Sequence, residues 1–227
     1  MNGGSRVDLI DGVHVVRDDA FPGGTKARCL EVLLRDADEF VYCSPAWGYA
    51  QLALALSAQA CGKRAVVFTA ARRQLAARTQ QAAAAGAKIV PVPHGYMSVL
   101  NARAREYCAS SGARLLPFGL DTPPFIAALA EYAASLALAP REVWCVAGSG
   151  VLCRALQIAY PAAEFHAVQV GHLPAVGAAR LHRAPERFEQ PARHPPPFLS
   201  CLNYDAKAWQ FVRRLASPGA LFWNVAP

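Results

Sequence analysis

A lysine stands in an unusual setting in the stretch Arg17-Asp18-Asp19-Ala20-Phe21-Pro22-Gly23-Gly24-Thr25-Lys26-Ala27-Arg28. An alternating apolar run, Val13 to Val16, leads into a Pro-Gly-Gly turn, and Cys29-Leu30-Glu31-Val32-Leu33-Leu34 then shows helical spacing of apolar residues. Lys26 is therefore expected at a glycine-rich turn leading into the first turn of a helix. A helix N-terminus favours negative charge, so an ammonium placed there loses its proton more readily. The neutral amine is a nucleophile toward carbonyls. The same residues also suit a solvated lysine beside a surface turn, and this stretch alone fits both readings.

Three other stretches carry chemistry-bearing residues at the ends of strands or the mouths of helices. Val146-Ala147-Gly148-Ser149-Gly150-Val151-Leu152 reads as strand, glycine-rich turn and helix. Bare amides from Gly148 to Val151, with the helix N-terminus behind them, suit an anion such as a phosphate. A tight turn that needs small residues is an equal reading. The third glycine of a dinucleotide fingerprint is missing, and this is not a Walker A loop. Ser44-Pro45-Ala46-Trp47-Gly48-Tyr49-Ala50-Gln51 is again strand to helix. Asn203-Tyr204-Asp205-Ala206-Lys207-Ala208-Trp209 lies at the mouth of the last helix, where Asn203 and Asp205 also fit as helix caps.

The elements that must position these groups alternate along the chain. Strands are expected at Phe40–Ser44, Arg64–Thr69, Ala87–Val92, Arg114–Phe118, Glu142–Ala147, Phe165–Val170 and Leu221–Val225. Helices are expected at Ala46–Ala60, Arg72–Ala85, Met97–Ser111, Pro123 to about Leu138, Val151–Tyr160 and Ala206–Leu215. Such alternation means βαβ units and parallel sheet, with ligands at the carboxyl ends of the strands. Gly171 to Leu199 breaks the pattern. It holds six prolines with Arg180, Arg183, Arg187 and Arg193, and reads as an irregular basic loop, ordered on binding or acting as a lid.

Composition sets the wider bounds. The 227 residues are 54% hydrophobic and 17% charged, as suits a well-packed globule. No apolar run reaches membrane-spanning length, and Met1 to Arg17 lacks the apolar core of a secretory signal. Seven cysteines without a regular framework read as reduced thiols of a cytoplasmic protein. No Cys-x-x-Cys pair or His/Cys ligand spacing is present, so no metal site is expected. Cys145 and Cys153 flank the glycine turn and read as packing residues. His14, His94, His166, His172, His182 and His194 are scattered and read as surface or satisfied core groups. The net charge of +7 permits a polyanionic or phosphorylated partner without demanding one.

Taken together, the four stretches resemble the fold-type II (tryptophan synthase β-like) pyridoxal-phosphate enzymes, nearest the aminocyclopropane-carboxylate deaminase and D-cysteine desulfhydrase group. Gly23-Gly24-Thr25-Lys26-Ala27-Arg28 resembles that group's Gly-Gly-Asn-Lys-x-Arg, whose lysine carries the Schiff base. Gly148-Ser149-Gly150 resembles its cofactor-phosphate turn. Tyr204-Asp205-Ala206-Lys207-Ala208 resembles its Tyr-Glu/Thr-Gly-Lys-Ala/Ser, in which the residue after tyrosine meets the pyridine nitrogen. Leu221-Phe222-Trp223 resembles the family's last strand. The order matches over nearly the whole chain. The chain departs from the pattern where Gly48 and Tyr49 replace the family's Asn-His, where Thr25 replaces an asparagine, and where Gly119-Leu120-Asp121 replaces a Gly-Gly-Ser. It is also shorter, chiefly after Gly150.

The resemblance implies an α/β fold of two lobes, each a parallel sheet flanked by helices, with a cofactor cleft between them. Residues 1–38 and 121–227 are expected to form the larger, cofactor-binding lobe, and 39–120 the smaller one. It implies a lyase- or deaminase-type enzyme of amino acid metabolism, using pyridoxal 5'-phosphate at the α carbon of an amino acid or amine. Lys26 would hold the cofactor and act as acid and base. Gly148, Ser149, Gly150 and Val151 would take the phosphate, and Asp205 the ring nitrogen. Tyr204 would move a proton or orient substrate, and Ser44, Tyr49 and Gln51 would contact the substrate. The expected partners are a small amino-acid-like substrate and a second copy in a homodimer, with no membrane. Three rivals stand beside this reading. One is an enzyme of the same chemistry acting on an amino-acid-modified nucleotide or DNA base, as in viral DNA hypermodification, recruited by the basic loop. Another is a degenerate relative that only binds, which Gly48 favours. The last is a plain nucleotide-binding domain, against which the lack of a spaced acidic ribose partner counts.

Overall fold

The computed structural model describes residues 5–93 and 95–227. It divides into two compact units, one of residues 1–25 with 126–227 and one of residues 26–125. These limits differ from 38/39 and 120/121. The strand that opens the expected small lobe is preceded by Gly24–Cys29 (α1) and a single-turn helix, Leu30–Leu33, so the second unit starts within α1.

In the first unit, six strands lie in the order β1-β2-β10-β7-β8-β9. Val7–Ile10 (β1) and Val13–Arg17 (β2) form an antiparallel hairpin, and the remaining pairings are parallel. Asp11 and Gly12 both have positive φ at its turn, as a two-residue hairpin needs for its twist to match the strands. Glu142–Ala147 (β7) is buried along its whole length, as a central parallel strand covered on both faces must be. Beside it run Glu164–Gln169 (β8) and Leu221–Asn224 (β10). Three helices belong to this unit wholly or in large part: Pro123–Ser135 (α5), Val151–Ala159 (α6) and Ala206–Leu215 (α7). The core joins Val13, Val15, Trp144, Val146, Val168, Trp209, Val212 and Phe222.

The second unit is a four-stranded, all-parallel sheet in the order β5-β4-β3-β6. Its strands are Glu39–Cys43 (β3), Arg64–Ala70 (β4), Lys88–Val92 (β5) and Arg114–Leu116 (β6). Its helices are Ala50–Ala60 (α2), Ala77–Ala84 (α3) and Met97–Ser111 (α4). Gly112 closes α4 in the left-handed conformation that a residue without a Cβ adopts freely.

Two helices start later than their apolar content suggests. Residues 45–48 form a turn in which the Gly48 N–H donates to the Pro45 carbonyl, so α2 starts at Ala50 and not Ala46. Likewise α3 starts at Ala77, leaving Arg72 and Arg73 in a loop. The largest correction is in Gly171–Leu199, which is not irregular throughout. Arg180–Arg183 (β9) pairs in parallel with β8 and forms the edge of the first sheet. Upstream, Gln157 on α6 pins the segment by donating to the Val176 carbonyl and accepting from the Ala178 N–H. A four-residue strand of Arg-Leu-His-Arg lacks the apolar run by which strands are usually read. No helix is long and apolar enough to cross a membrane among the described residues.

Candidate functional site

In the first unit, the Gly148–Val151 turn sits where β7 ends and α6 begins. Gly150 is in the left-handed region at φ 86°, and a Cβ there would lie 1.9 Å from the Ala175 carbonyl oxygen. A side chain at Gly148 would press on the Tyr204 ring, 3.1 Å from its hydroxyl. Gly150 therefore requires glycine, while a side chain at Gly148 would have to push Tyr204 aside by a few tenths of an ångström. The Gly148 N–H donates to the Tyr204 hydroxyl at 2.7 Å, and the Val151 N–H makes a long bond to Ser149 Oγ at 3.4 Å. The N–H groups of Ser149 and Gly150 find no acceptor among the described residues. These two consecutive amides at a helix start are what an anion-binding nest needs.

Tyr204 and Asp205 precede α7. Burial, with the Asp205 carboxyl beside it, pushes the Tyr204 phenol far above its ordinary range. Its hydroxyl accepts from the Gly148 N–H, which ties the entry of α7 to the turn after β7. Asp205 has no exposed surface, and neither carboxylate oxygen has a hydrogen-bond partner among the described residues. It stands at the N-cap position of α7 but makes no capping bond, so the capping reading fails for it. Burial holds its pKa well above the usual carboxylate range. The nearby Val225 and Ala226 N–H groups oppose that shift without bonding in normal geometry, and the Asp19 charge reinforces it. Lys207, two residues on, is also fully buried, and its ammonium donates to the Arg187 carbonyl at 2.8 Å.

Asp18, which has no separate role in the sequence reading, is a buried carboxylate with several donors. Its carboxylate accepts from Thr25 Oγ1 at 2.7 Å, Tyr132 Oη at 2.7 Å and Trp223 Nε1 at 3.0 Å, and from Ser5. Thr25 also donates its N–H to the Val225 carbonyl. The residue immediately before Lys26 is thus fixed to β10 by backbone and side chain. Only its place in the Asp-Asp/Pro-Gly-Gly stretch could have signalled this.

In the second unit, Lys26 lies inside α1, and not ahead of it. Its side chain is half-buried, its amine 3.3 Å from the Gly119 carbonyl and 6.0 Å from the centre of the Phe125 ring. Gly119, at φ 73°, donates its N–H to Tyr42 Oη, and burial raises the Tyr42 phenol to about 12. The three expected substrate contacts are bonded mostly within their own loop. Ser44 is buried, with Oγ donating to the Pro45 carbonyl. Gln51 is buried, with Nε2 donating to the carbonyls of Pro45, Ala46 and Gly48, while its Oε1 has no partner among the described residues. Tyr49 carries the Arg78 guanidinium 4.3 Å above its ring. A Cβ at Gly48 would fall 2.8 Å from Ser44 Oγ and 3.1 Å from the Pro45 carbonyl oxygen, so a side chain there needs Ser44 to turn away from its bond to Pro45.

Outside these groups, His166 and His182 are not scattered. Their rings stack on each other and on Trp144, with Nδ1 and Nε2 3.0 Å apart. His94 lies outside the described residues. Cys145 and Cys153 are fully buried side by side, and their contact together with burial holds the Cys145 thiol well above its usual range. No cluster of three or more metal-ligating side chains occurs among the described residues.

No family model matches the chain, and no curated protein matches it by sequence. Solved structures do share its fold. An ACC deaminase homologue superposes with a TM-score of 0.85 at 15% identity, covering 99% of this chain and 90% of its own. The processed form of threonine deaminase isoform 2 from Solanum lycopersicum gives 0.75 at 12% identity, covering 98% and 78%. Diaminopropionate ammonia lyase from Escherichia coli gives 0.67 at 14% identity, covering 99% and 83%. The chain thus has the fold that its motif order implied, that of the fold-type II pyridoxal-phosphate enzymes, with parallel sheets flanked by helices.

Proposed function

We propose that this chain is a pyridoxal-phosphate-dependent enzyme acting at the α carbon of an amino acid or amine, with lyase- or deaminase-type chemistry. The observation that carries this reading is Asp205. A fully buried carboxyl with both oxygens unpartnered is costly to keep, and a protonated ring nitrogen is the partner that would satisfy it. The unpaired amides of Ser149 and Gly150, with Gly148 kept clear of any side chain by Tyr204, suit the phosphate of the same molecule. When bound, the cofactor supplies an electron sink for charge developing at the substrate's α carbon.

The chain's own residues then divide the work. Lys26 would hold the cofactor through its amine and, once released, would take and return the proton at the α carbon. Asp205 would keep the ring nitrogen protonated. Tyr204 holds the phosphate turn in shape through the Gly148 N–H and has its own hydroxyl proton to donate. Asp18 and Thr25 fix the backbone from which Lys26 projects. Ser44, Tyr49 and Gln51 shape the turn facing the substrate, with Ser44 and Gln51 acting through the loop's conformation more than through free side-chain donors.

The test is spectroscopic. Purified protein incubated with excess cofactor should develop a visible band that borohydride bleaches, leaving a pyridoxyl adduct on Lys26 by mass spectrometry. Lys26→Ala should lose the band yet still retain cofactor through the phosphate. A colourless wild type with no adduct leaves only the non-catalytic binder. An adduct on Lys207 keeps the cofactor but overturns the assignment of Lys26.

A further inference from the structure

The basic surplus of this chain is not where the arginine-rich 171–199 segment suggests. The first unit holds eleven Lys and Arg against ten Asp and Glu, so it is nearly neutral. The second holds twelve against six. Within the second unit the signs are sorted along the strands. At the amino ends, Asp36, Asp38 and Glu39 are each paired with a base: Arg114, Lys63 and Arg64 respectively. At the carboxyl ends, Asp121 follows β6, but no acid follows β3, β4 or β5. Residues 44–49, 71–78 and 93–96 contain no Asp or Glu, but they do contain Arg72, Arg73 and Arg78. Arg72 and Arg73 are exposed and form no ion pair among the described residues.

The same three loops carry exposed aromatic rings. Trp47 follows β3 and is 37% exposed, while Tyr96 follows β5 and is 76% exposed. β3, β4 and β5 are parallel neighbours, so all three loops leave one end of the sheet. They also touch. Arg78 stacks on Tyr49, and Thr79 Oγ1 reaches the Ala46 carbonyl, which joins the first loop to the second. A Cβ on Gly95 would lie 2.3 Å from the Ala70 side chain, and the Ala71 N–H donates to Val92, which joins the second to the third. At the base of this surface Thr69 Oγ1 and Gln51 Oε1 are buried without partners among the described residues.

We infer that the carboxyl-end rim of the second unit binds single-stranded nucleic acid, with Arg72, Arg73 and Arg78 on phosphates and Trp47 and Tyr96 as stacking platforms for bases. The combination of acid-free arginines with exposed rings selects this partner. Phosphodiesters need only the charge, but an exposed tryptophan beside it gains from an unpaired base, which a duplex hides. Arginines on a solvated edge would ordinarily be accompanied by acids, as they are at the other end of this sheet. The inference stands on its own observations and does not require the cofactor: binding is read in its absence, so loss of the imine band and loss of strand binding are separate outcomes.

The experiment measures anisotropy of a fluorescein-labelled dT12 strand titrated with the full chain at several salt concentrations, alongside tryptophan fluorescence. Trp144, Trp209 and Trp223 are buried, so quenching by bound bases reports on Trp47. The double variant Arg72→Ala/Arg73→Ala should bind at least tenfold more weakly and lower the slope of log affinity against log salt by about 1.4, the share of two phosphate contacts on a single strand. Trp47→Ala should bind about five- to a hundredfold more weakly with the slope unchanged. Arg187→Ala/Arg193→Ala, which removes equal charge from the first unit, should change neither. Equal weakening by both double variants would mean that binding follows net charge alone and overturns the assignment. So would heparin binding as tightly as dT12 without quenching, or a mononucleotide competing at micromolar concentration. Melting curves of each variant confirm that it is folded.

Discussion

Asp205→Asn should make the cofactor-free chain more stable while making the loaded chain worse. Asp205 is wholly buried, and its oxygens bond to nothing among the described residues, so its charged form is penalised. A carboxyl that must be protonated to be buried takes up a proton on folding. From an ordinary value near 3.9, each pH unit over which the folded carboxyl holds a proton that the unfolded one has lost costs about 1.36 kcal/mol. The isosteric amide carries no such cost. The sign follows from a folded-state pKa that is raised: the contribution is favourable below the unfolded carboxyl range and is lost as pH rises. For a chain of this size 1 kcal/mol moves Tm by about 2–4 °C, so each such pH unit should separate the higher-melting variant from wild type by about 3–5 °C. The gap should shrink toward pH 5. Excess pyridoxal phosphate should then reverse the order, because only wild type gains a charged partner for the ring nitrogen. The assay is thermal melting of cofactor-free and cofactor-saturated protein from pH 5 to 8. If the cofactor-free variant melts at or below wild type at pH 7, or if the gap does not depend on pH, the argument from an unsatisfied carboxyl is refuted.

Other expectations follow from single contacts. Gly150→Ala places a Cβ against the Ala175 carbonyl at positive φ, and should cost at least about 2 kcal/mol and abolish cofactor retention, checked by denaturant unfolding and absorbance. Thr25→Val removes one donor from Asp18 and should cost about 1–2 kcal/mol, with Thr25→Ser recovering most of it in the same unfolding assay. Burial holds His166 and His182 below their usual value, against the charges of Glu142 and Glu164 and with those of Arg180 and Arg214. A depressed histidine favours the fold above its unfolded value and loses that contribution as pH falls, so Tm should drop below about pH 6.5. Replacing His182 by Phe, which preserves the stack, should flatten that drop.

What could be read from the sequence follows how local each signal is. Met97–Ser111 with its Gly112 stop, Glu142–Ala147 and Ala206–Leu215 are bounded by residues whose effects act within one turn, and all three occur with those limits. The β1–β2 hairpin went unread because Val7–Ile10 is short and broken by Asp8, whose charge is met by Arg17 from the partner strand. β9 went unread because its residues are mostly basic and its stability comes from the neighbouring β8. Side-chain detail was the least legible. Nothing in the order of residues says that Gln51 donates three times into its own loop, or that Asp18 gathers hydroxyls from positions as distant as Tyr132.

The departures from the family pattern have a physical distribution that bears on function. The glycine turn after β7 is tightly held: a Cβ at Gly150 has no room, and Tyr204 packs against Gly148. By contrast, the turn after β3 has rebuilt itself. Gly48 lets the chain fold tightly onto Ser44, Gln51 ties the turn's carbonyls, and the ring of Tyr49 faces Arg78 in place of a histidine. A chain that had drifted into a mere scaffold should loosen first at its most strained glycines and should discard an unpaired buried acid, since any apolar residue at position 205 would be easier to bury. Here the strained glycine at 150 and the unpartnered acid at 205 are both present, beside a turn after β3 that is closed by its own side chains. This is the pattern expected if the groups proposed for the cofactor are still in use and the change lies in what is presented to it. On that reasoning Gly48→Asn, which restores the family residue, should not recover activity toward a small amino acid. It should open the turn, destabilise the second unit by about 1–3 kcal/mol from overpacking, and leave the cofactor band intact. Loss of the band in that variant would show that the turn holds the cofactor itself, and would move Ser44, Tyr49 and Gln51 from the substrate to the cofactor.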